Sequence, residues 1–344
     1  MNKTLKKSLI IVGCVLGGII LLYLILHSVL TVIGYFMYRE CRNAREYACD
    51  IPALGTGFAP QGITYSADLE MYIHTGYMPD NRSALFFTDE EGYCERVLLD
   101  EDGNTLKGHA GGVTVMGNCV YIASGASLYM YDLYELYYAG DDEGVMPLNV
   151  YCVDNNAAYC FGNDEYLFVG EFYRASNYKT DESHWYATPS GDDNRAIVSC
   201  YKLDAIGFLE TEEGESVPYP EYCISITGLV QGFATDGETY MLSRSYGLTN
   251  SKLEYHSAPV DSGRTIDVKF KNAPDAPRKS VPLYYMDSGT LYKTLTLPAF
   301  GEDITIKDGR VVVTNEASAN KYFVGKLFGA NKAYSFPIYK KDRL

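Results

Sequence analysis

Basic residues, tryptophan and metal-type cysteine spacings are what this sequence has little of. Lys and Arg number 29 against 44 Asp and Glu, a formal net charge of −15. Nucleic-acid binding needs clustered Lys and Arg against phosphates, so that function class is excluded, as is adhesion of the polar part of the chain to an anionic membrane surface. No C-x-x-C pair and no Cys/His cluster with zinc spacing occurs, which argues against a structural zinc. A G-x-S-x-G nucleophile elbow, H-E-x-x-H, a P-loop and a dinucleotide-binding glycine fingerprint are missing too. Long amphipathic helices are scarce after residue 40. What the chain has instead is Gly 32 and Tyr 32 beside a single Trp, a composition suited to many short strands and turns.

One long apolar run stands apart. Lys3, Lys6 and Lys7 precede an uncharged stretch from Ser8 to Tyr38, longer than the roughly 20 residues a membrane-spanning helix needs. It lacks the short core and small-residue cleavage site of a removable signal peptide, so it reads as an uncleaved signal anchor. Arg39, Arg42 and Arg45 nearly balance the lysines, which leaves orientation to the cysteines. Cys14 lies in the apolar run; Cys41, Cys49, Cys94, Cys119, Cys152, Cys160, Cys200 and Cys223 remain, an even count that permits disulfides in an exterior domain. The expected organisation is a cytoplasmic tip and transmembrane anchor at 1–38, a juxtamembrane linker at 39–46 and an extracytoplasmic domain at 47–344, single-pass in the cell membrane. At least two disulfides are expected, with Cys94–Cys119 the most distinctive candidate beside Cys152–Cys160 and Cys200–Cys223.

The domain is built on a repeat. Gln61–Tyr77, Gly112–Ser124, Ala158–Gly170, Gly232–Arg244 and Asp303–Asn315 each read as a β-run, a Gly/Asp/Asn turn and a second β-branched or aromatic run. These hairpins predict an all-β fold, a β-propeller with five blades rather than six. Third strands follow at 84–89, 128–133, 197–203 and 333–338; in the fourth repeat Leu253–His256 competes with Leu283–Asp287. Fourth strands follow at 95–99, 148–153, 222–226 and 291–297. The last repeat has no fourth strand of its own, and Tyr47–Pro52 is the spare one that closes the ring beside Ala333–Ile338, removing two exposed edges. Two segments interrupt the rhythm: the polar 173–194, which carries His184 and Trp185, and the Pro- and charge-rich 257–281, which reads as a mobile surface excursion.

In a propeller the starts of the inner strands and the ends of the second strands open on one face around the channel. Gln61, His109, Asn155, Asn156, Gln231, Glu302 and Asp303 stand at the starts; His74, Ser124, Glu171, Arg244, Asn315 and Glu316 stand at the ends. A concave mouth with convergent polar groups is the default binding site, and Trp185 is expected to add an aromatic contact from a mobile rim. Gln61 and Gln231, in matching Gln-Gly pairs, serve equally well to satisfy backbone groups of the channel wall. His109 before Ala-Gly-Gly, and Arg244 among acids, have the same two readings, ligand contact or local structure.

Pro60-Gln-Gly-Ile, His109-Ala-Gly-Gly-Val and Val230-Gln-Gly-Phe-Ala-Thr-Asp-Gly resemble the inner-strand starts of NHL-like and SMP-30/gluconolactonase/paraoxonase-like propellers. That resemblance implies a channel calcium, with Asn155, Glu302 and Asp303 as candidate ligands, and lactonase or arylesterase activity. Other five-bladed propellers are glycosidases using channel carboxylates, a part that Glu171, Glu302 and Glu316 would play. The first expectation is a membrane-anchored propeller binding a small molecule, glycan or protein at its mouth. The alternative is a hydrolase of esters, lactones or glycosides. Calcium is the one cofactor implied.

Overall fold

The computed structural model describes residues 3–140, 142–212, 214–322, 325 and 331–343, with side chains left out for residues 3–6, 8 and 9. The chain separates into two compact units, Met1–Asn43 and Ala44–Leu344. In the first, one helix runs over Lys3–Met37, and its 28 residues from Ile10 to Met37 are long and apolar enough to cross a membrane. Side chains such as Ile20, Leu22 and Phe36 are exposed along it, a surface suited to lipid rather than water. The expected linker begins instead as a short helix, Arg39–Ala44.

The second unit is all-β apart from short helical turns. One sheet orders Ala59–Ser66, Met71–Tyr77, Ser83–Thr88 and Tyr93–Leu98 as four antiparallel strands, with Gly144–Val145 added in parallel beyond the last. Another orders Val230–Thr235, Tyr240–Arg244, Ser251–His256 and Leu291–Leu297 in the same way. A third consists of Gly301–Lys307, Arg310–Asn315 and Lys332–Pro337, with Glu46–Asp50 hydrogen-bonded along its outer edge. There Tyr47 pairs with Tyr334 and Asp50 with Lys332, whose Nζ lies 2.7 Å from Asp50 Oδ1. Between these sheets two long strands merge neighbouring groups into one ladder. Cys119–Asp132 covers two strands that the sequence reads separately, and Asn149–Gly162 runs from the outside of one group to the innermost place of the next. A six-residue helix, Leu133–Tyr138, absent from the sequence reading, follows Asp132, whose carboxylate caps it by accepting from the N–H groups of Tyr134 and Glu135.

The innermost strands pack on one another. Ala59–Ser66 lies against Gly112–Met116 and Gly301–Lys307; Asn149–Gly162 lies against Gly112–Met116 and Val230–Thr235; Val230–Thr235 lies against Gly301–Lys307. Sheets radiating from a common axis make this a β-propeller. Glycine permits the approach: a Cβ on Gly112 would fall 2.5 Å from Tyr159 Cα, and one on Gly232 would fall 2.7 Å from Ile304 N. Asp303, fully buried, ties three inner strands together by accepting the N–H groups of Ile63 (3.3 Å), Val113 and Ile304. Alternate residues fill the spaces between sheets, as where Ile73, Leu85 and Phe87 meet Val120, Ile122 and Tyr131.

Both insertions are ordered. Segment 257–281 is no loose excursion: Val260–Val268 and Lys279–Tyr285 form a hairpin whose second strand joins Tyr222–Ile226 in parallel, Cys223 opposite Leu283. Ile266, Val268, Phe270 and Val281 bury against Ile197 and Val217. Leu283–Tyr285 therefore belongs to the third repeat's sheet, and Ser251–His256 is the fourth repeat's third strand. Segment 173–194 folds into a helical turn at Glu182–His184 and a short ladder of Tyr186–Ala187 with Asp193–Asn194.

All nine cysteines are free, so the expected disulfides are not formed in this structure. Cys200 pairs across the ladder with Tyr222 while Cys223 pairs with Ser199, which turns the two thiols to opposite faces of the sheet. Cys152 and Cys160 lie at separate parts of one strand and pack against different cores, as do Cys94 and Cys119.

Candidate functional site

A cavity of about 700 Å³ opens where the inner strands begin. The equivalent residues of the five repeats, Gln61, Gly111, Ala158, Gln231 and Glu302, all line it. They divide it unequally. Gln231, Glu302 and Gln61 follow one another around the axis as a polar arc, while Gly111 and Ala158 leave the other side open. Glu316, from the end of Arg310–Asn315, completes the arc against Glu302.

The arc is hydrogen-bonded throughout. Gln61 Nε2 donates to Glu316 Oε2 at 3.0 Å and to Pro60 O at 2.9 Å. Gln231 bonds Glu302, the two carboxyls bond each other, and the Tyr322 hydroxyl bonds Glu316. Burial, then the neighbouring Glu316 carboxyl, pushes Glu302 well above the usual carboxylate range. Burial also raises Glu316, against the opposing pull of Tyr322, Lys321, Glu302 and Gln61. Two carboxyls in contact cannot both ionise cheaply, so the pair shares a proton.

Aromatic rings form the walls. Tyr77 and His109 stack at 4.6 Å, and Lys321 donates to the Tyr77 hydroxyl. Desolvation and Lys321 lower the His109 pKa, so its ring is neutral. Phe172 and Tyr246 stack at 6.3 Å, with the Arg174 guanidinium 3.8 Å from the Tyr246 ring centre. Asn272, carried in by the second insertion, donates to Ser127 Oγ at 3.0 Å and also faces the cavity.

Of the residues singled out from sequence, the cavity collects Gln61, His109, Ser124, Asn156, Gln231, Glu302 and Glu316. The others turn elsewhere. His74 is fully buried with Nε2 3.5 Å from Cys49 Sγ. Asn155 donates to Val169 O and Ser199 Oγ inside the third repeat's sheet. Glu171 is buried against His184 Nδ1 at 2.8 Å and accepts the Ile197 N–H, so it pins the first insertion. Trp185 donates to Thr180 Oγ1 and lies under the Arg195 guanidinium, held rather than mobile. Arg244 pairs with Glu254 at 2.7 Å, and Asn315 donates to Lys332 O. Asp303 is spent on backbone N–H groups.

Sequence reasoning passed over Tyr77, Phe172, Tyr178, Tyr246, Asn272, Lys321 and Tyr322. Several are near neighbours of chosen residues: Phe172 follows Glu171 and Tyr246 lies two beyond Arg244. Ladder registers shift at Pro60/Gly62, Gly170/Glu171, Val230/Gly232 and Gly301/Ile304, beside the mouth, and such bulges re-aim the side chains that follow. The calcium ligand set that the resemblance implies, Asn155, Glu302 and Asp303, is not assembled. Among the described residues no three His, Cys, Asp or Glu side chains converge, and Asn155, Glu302 and Asp303 face different partners.

No family model matches the chain, and no curated protein does. Solved structures with some likeness include BamB from Moraxella catarrhalis, 7% identical over 81% of this chain and 83% of that one, with a TM-score of 0.33. RS223-β-xylosidase is 11% identical over 85% of this chain and 94% of that one, with a TM-score of 0.39. The β-propeller domain of Cps50 (Swd1) from Myceliophteria thermophila is 9% identical over 75% and 94%, with a TM-score of 0.29. It is the sheet order and inner-strand packing of the chain itself that make it a propeller.

Proposed function

We propose that this chain is a membrane-anchored, extracytoplasmic five-bladed propeller, closed by Glu46–Asp50, that binds a ligand at its channel mouth. The carrying observation is the pre-formed polar arc Gln231–Glu302–Glu316–Gln61 on the wall of an aromatic-sided cavity. A hydrolase is less well supported by the same geometry. Glycosidase carboxyls stand about 5–5.5 Å or 6.5–9.5 Å apart, with room for the sugar or a water, whereas Glu302 and Glu316 bond each other directly. Calcium-assisted ester or lactone cleavage would have two acidic side chains at the mouth, Glu302 and Glu316, and among the described residues no third joins them.

The test is a thermal-shift screen of the full chain in phosphatidylcholine nanodiscs against a chemically mixed small-molecule library, since a ligand of the native state raises its melting temperature. A hit should lose its shift in Gln231→Ala and Gln61→Ala. A library without hits, or hits indifferent to both changes, counts against the reading.

A further inference from the structure

We infer that the ligand of this mouth is a neutral saccharide; this rests on the binding reading above and names its chemistry. The polar arc offers several acceptor oxygens and, at Gln231, a donor beside them. Gln231 keeps one N–H and its carbonyl after bonding Glu302, Gln61 offers its carbonyl because both its N–H groups are used on Glu316 and Pro60, and the carboxyl pair adds acceptor oxygens. Adjacent hydroxyls, each donor and acceptor at once, match such an edge. A carboxylate or phosphate brings acceptors only and would face the oxygens of Glu302 and Glu316. An ammonium brings donors only and would share the cavity with the ammonium groups of Lys107 and Lys321.

The walls fit the rest of a sugar. A pyranose has a flat face of C–H groups as well as a hydroxyl edge, and that face packs on aromatic rings as other apolar surfaces do. Two ring pairs, Tyr77 with His109 and Phe172 with Tyr246, line the same cavity and supply apolar ring surface. Arg174 on one face of Tyr246 fixes that ring before any ligand arrives. Opposite the arc, Gly111, Ala157 and Ala158 keep the floor open, and Asn156 and Asn272 offer amides to the far hydroxyls. About 700 Å³ is ample for one or two sugar rings.

The experiment uses the full chain in phosphatidylcholine nanodiscs, because glycoside detergents would compete. Titration calorimetry compares two panels. One holds glucose, galactose, mannose, N-acetylglucosamine and their disaccharides. The other holds glucuronate, glucosamine, AMP and acidic and basic tripeptides. At least one neutral sugar should bind, with roughly tenfold weaker affinity in Gln231→Ala and in Tyr246→Leu. Lys202→Ala, outside the cavity, should bind as the parent does. Melting curves of each variant separate lost binding from lost fold. If only charged ligands bind, and in a Gln231-dependent way, the saccharide inference falls while the binding reading stands. If neither panel binds to a folded chain, both fall.

Discussion

Gly232→Ala tests the closeness of the propeller axis, on which the position of every arc residue depends. A Cβ there would meet Ile304 N at 2.7 Å and Asp303 Cα and Oδ1 at 2.8 Å. Ordinary carbon contacts lie at about 3.5–4.0 Å, so one inner strand must retreat by nearly 1 Å. The obstacles are mostly backbone, so no rotamer change relieves them. Retreat also loosens Asp303 from the N–H groups of Ile63 and Val113. Overpacking costs about 1–3 kcal/mol, and weakening a hydrogen bond to a buried carboxyl adds about 1–2, so a loss of about 2–5 kcal/mol is expected. At about 2–4 °C per kcal/mol or slightly less for a domain this large, the melting point should drop by roughly 5–15 °C. Thermal melts of the full chain in micelles can be followed by the fluorescence of Trp185, the single tryptophan. The control is Gly55→Ala, where nothing lies within 4 Å of the added carbon, and it should change stability by less than about 0.5 kcal/mol. Equal melting points for the two variants would refute the close-packed axis.

Three further outcomes follow from the same structure. Burial lowers the His74 pKa to about 3; below the unfolded value near 6.5 the unfolded chain gains a proton that the folded chain refuses, so this group costs about 2 kcal/mol as pH falls from 6.5 to 5. Melts of His74→Gln between pH 7 and 4 should therefore fall less steeply than the parent's, and parallel curves would contradict a neutral buried imidazole. Phe270, buried on the second insertion, should cost about 3–5 kcal/mol on change to Ala, whereas a loosely attached loop would show almost nothing in the same melts. Maleimide labelling read by mass spectrometry should modify the half-buried Cys94 and Cys152 before Cys160, Cys200 and Cys223, which are fully buried with their thiol pKa values pushed up; early labelling of Cys200 or Cys223 would mean the sheet opens readily.

The repeat was legible because strand alternation and Gly/Asp/Asn turns are local signals, and the inner-strand positions Gln61, Gln231 and Glu302 came with it. What failed was aim at the strand ends. The sequence points to Glu171 and Arg244, yet Phe172 and Tyr246 face the cavity, one and two residues away; of the expected neighbours Asn155 and Asn156, only Asn156 does. Side chains alternate across a strand, so one register shift exchanges the buried and open sets, and bulges of this kind carry no strong sequence signature. Asn272 was out of reach for another reason. Its insertion looks like solvent-exposed linker until the parallel pairing of Leu283 with Cys223 folds it back over the third sheet, and that contact is non-local. The disulfides misled because an even cysteine count says nothing about which sheet face each thiol occupies.

One position per repeat also bears on the proposed ligand. The residues after the arc positions are Gly62, Gly112, Tyr159, Gly232 and Asp303. The three glycines draw the strands together, and the two large side chains, Tyr159 and Asp303, are fully buried at the axis. Beyond them lies a separate recess of about 260 Å³ lined by Thr64, Thr114, Thr235 and Thr305. The two cavities share no lining residue, and Tyr159 and Asp303 are buried at the level of the axis between the residues that line them. Under the proposed binding reading, packing of this kind at the axis favours a chain end or a small free molecule over a threaded polymer. Opening the plug by Tyr159→Ala would remove a buried ring at a cost of about 3–5 kcal/mol, so a selective pocket and a stable axis are the same packing solution.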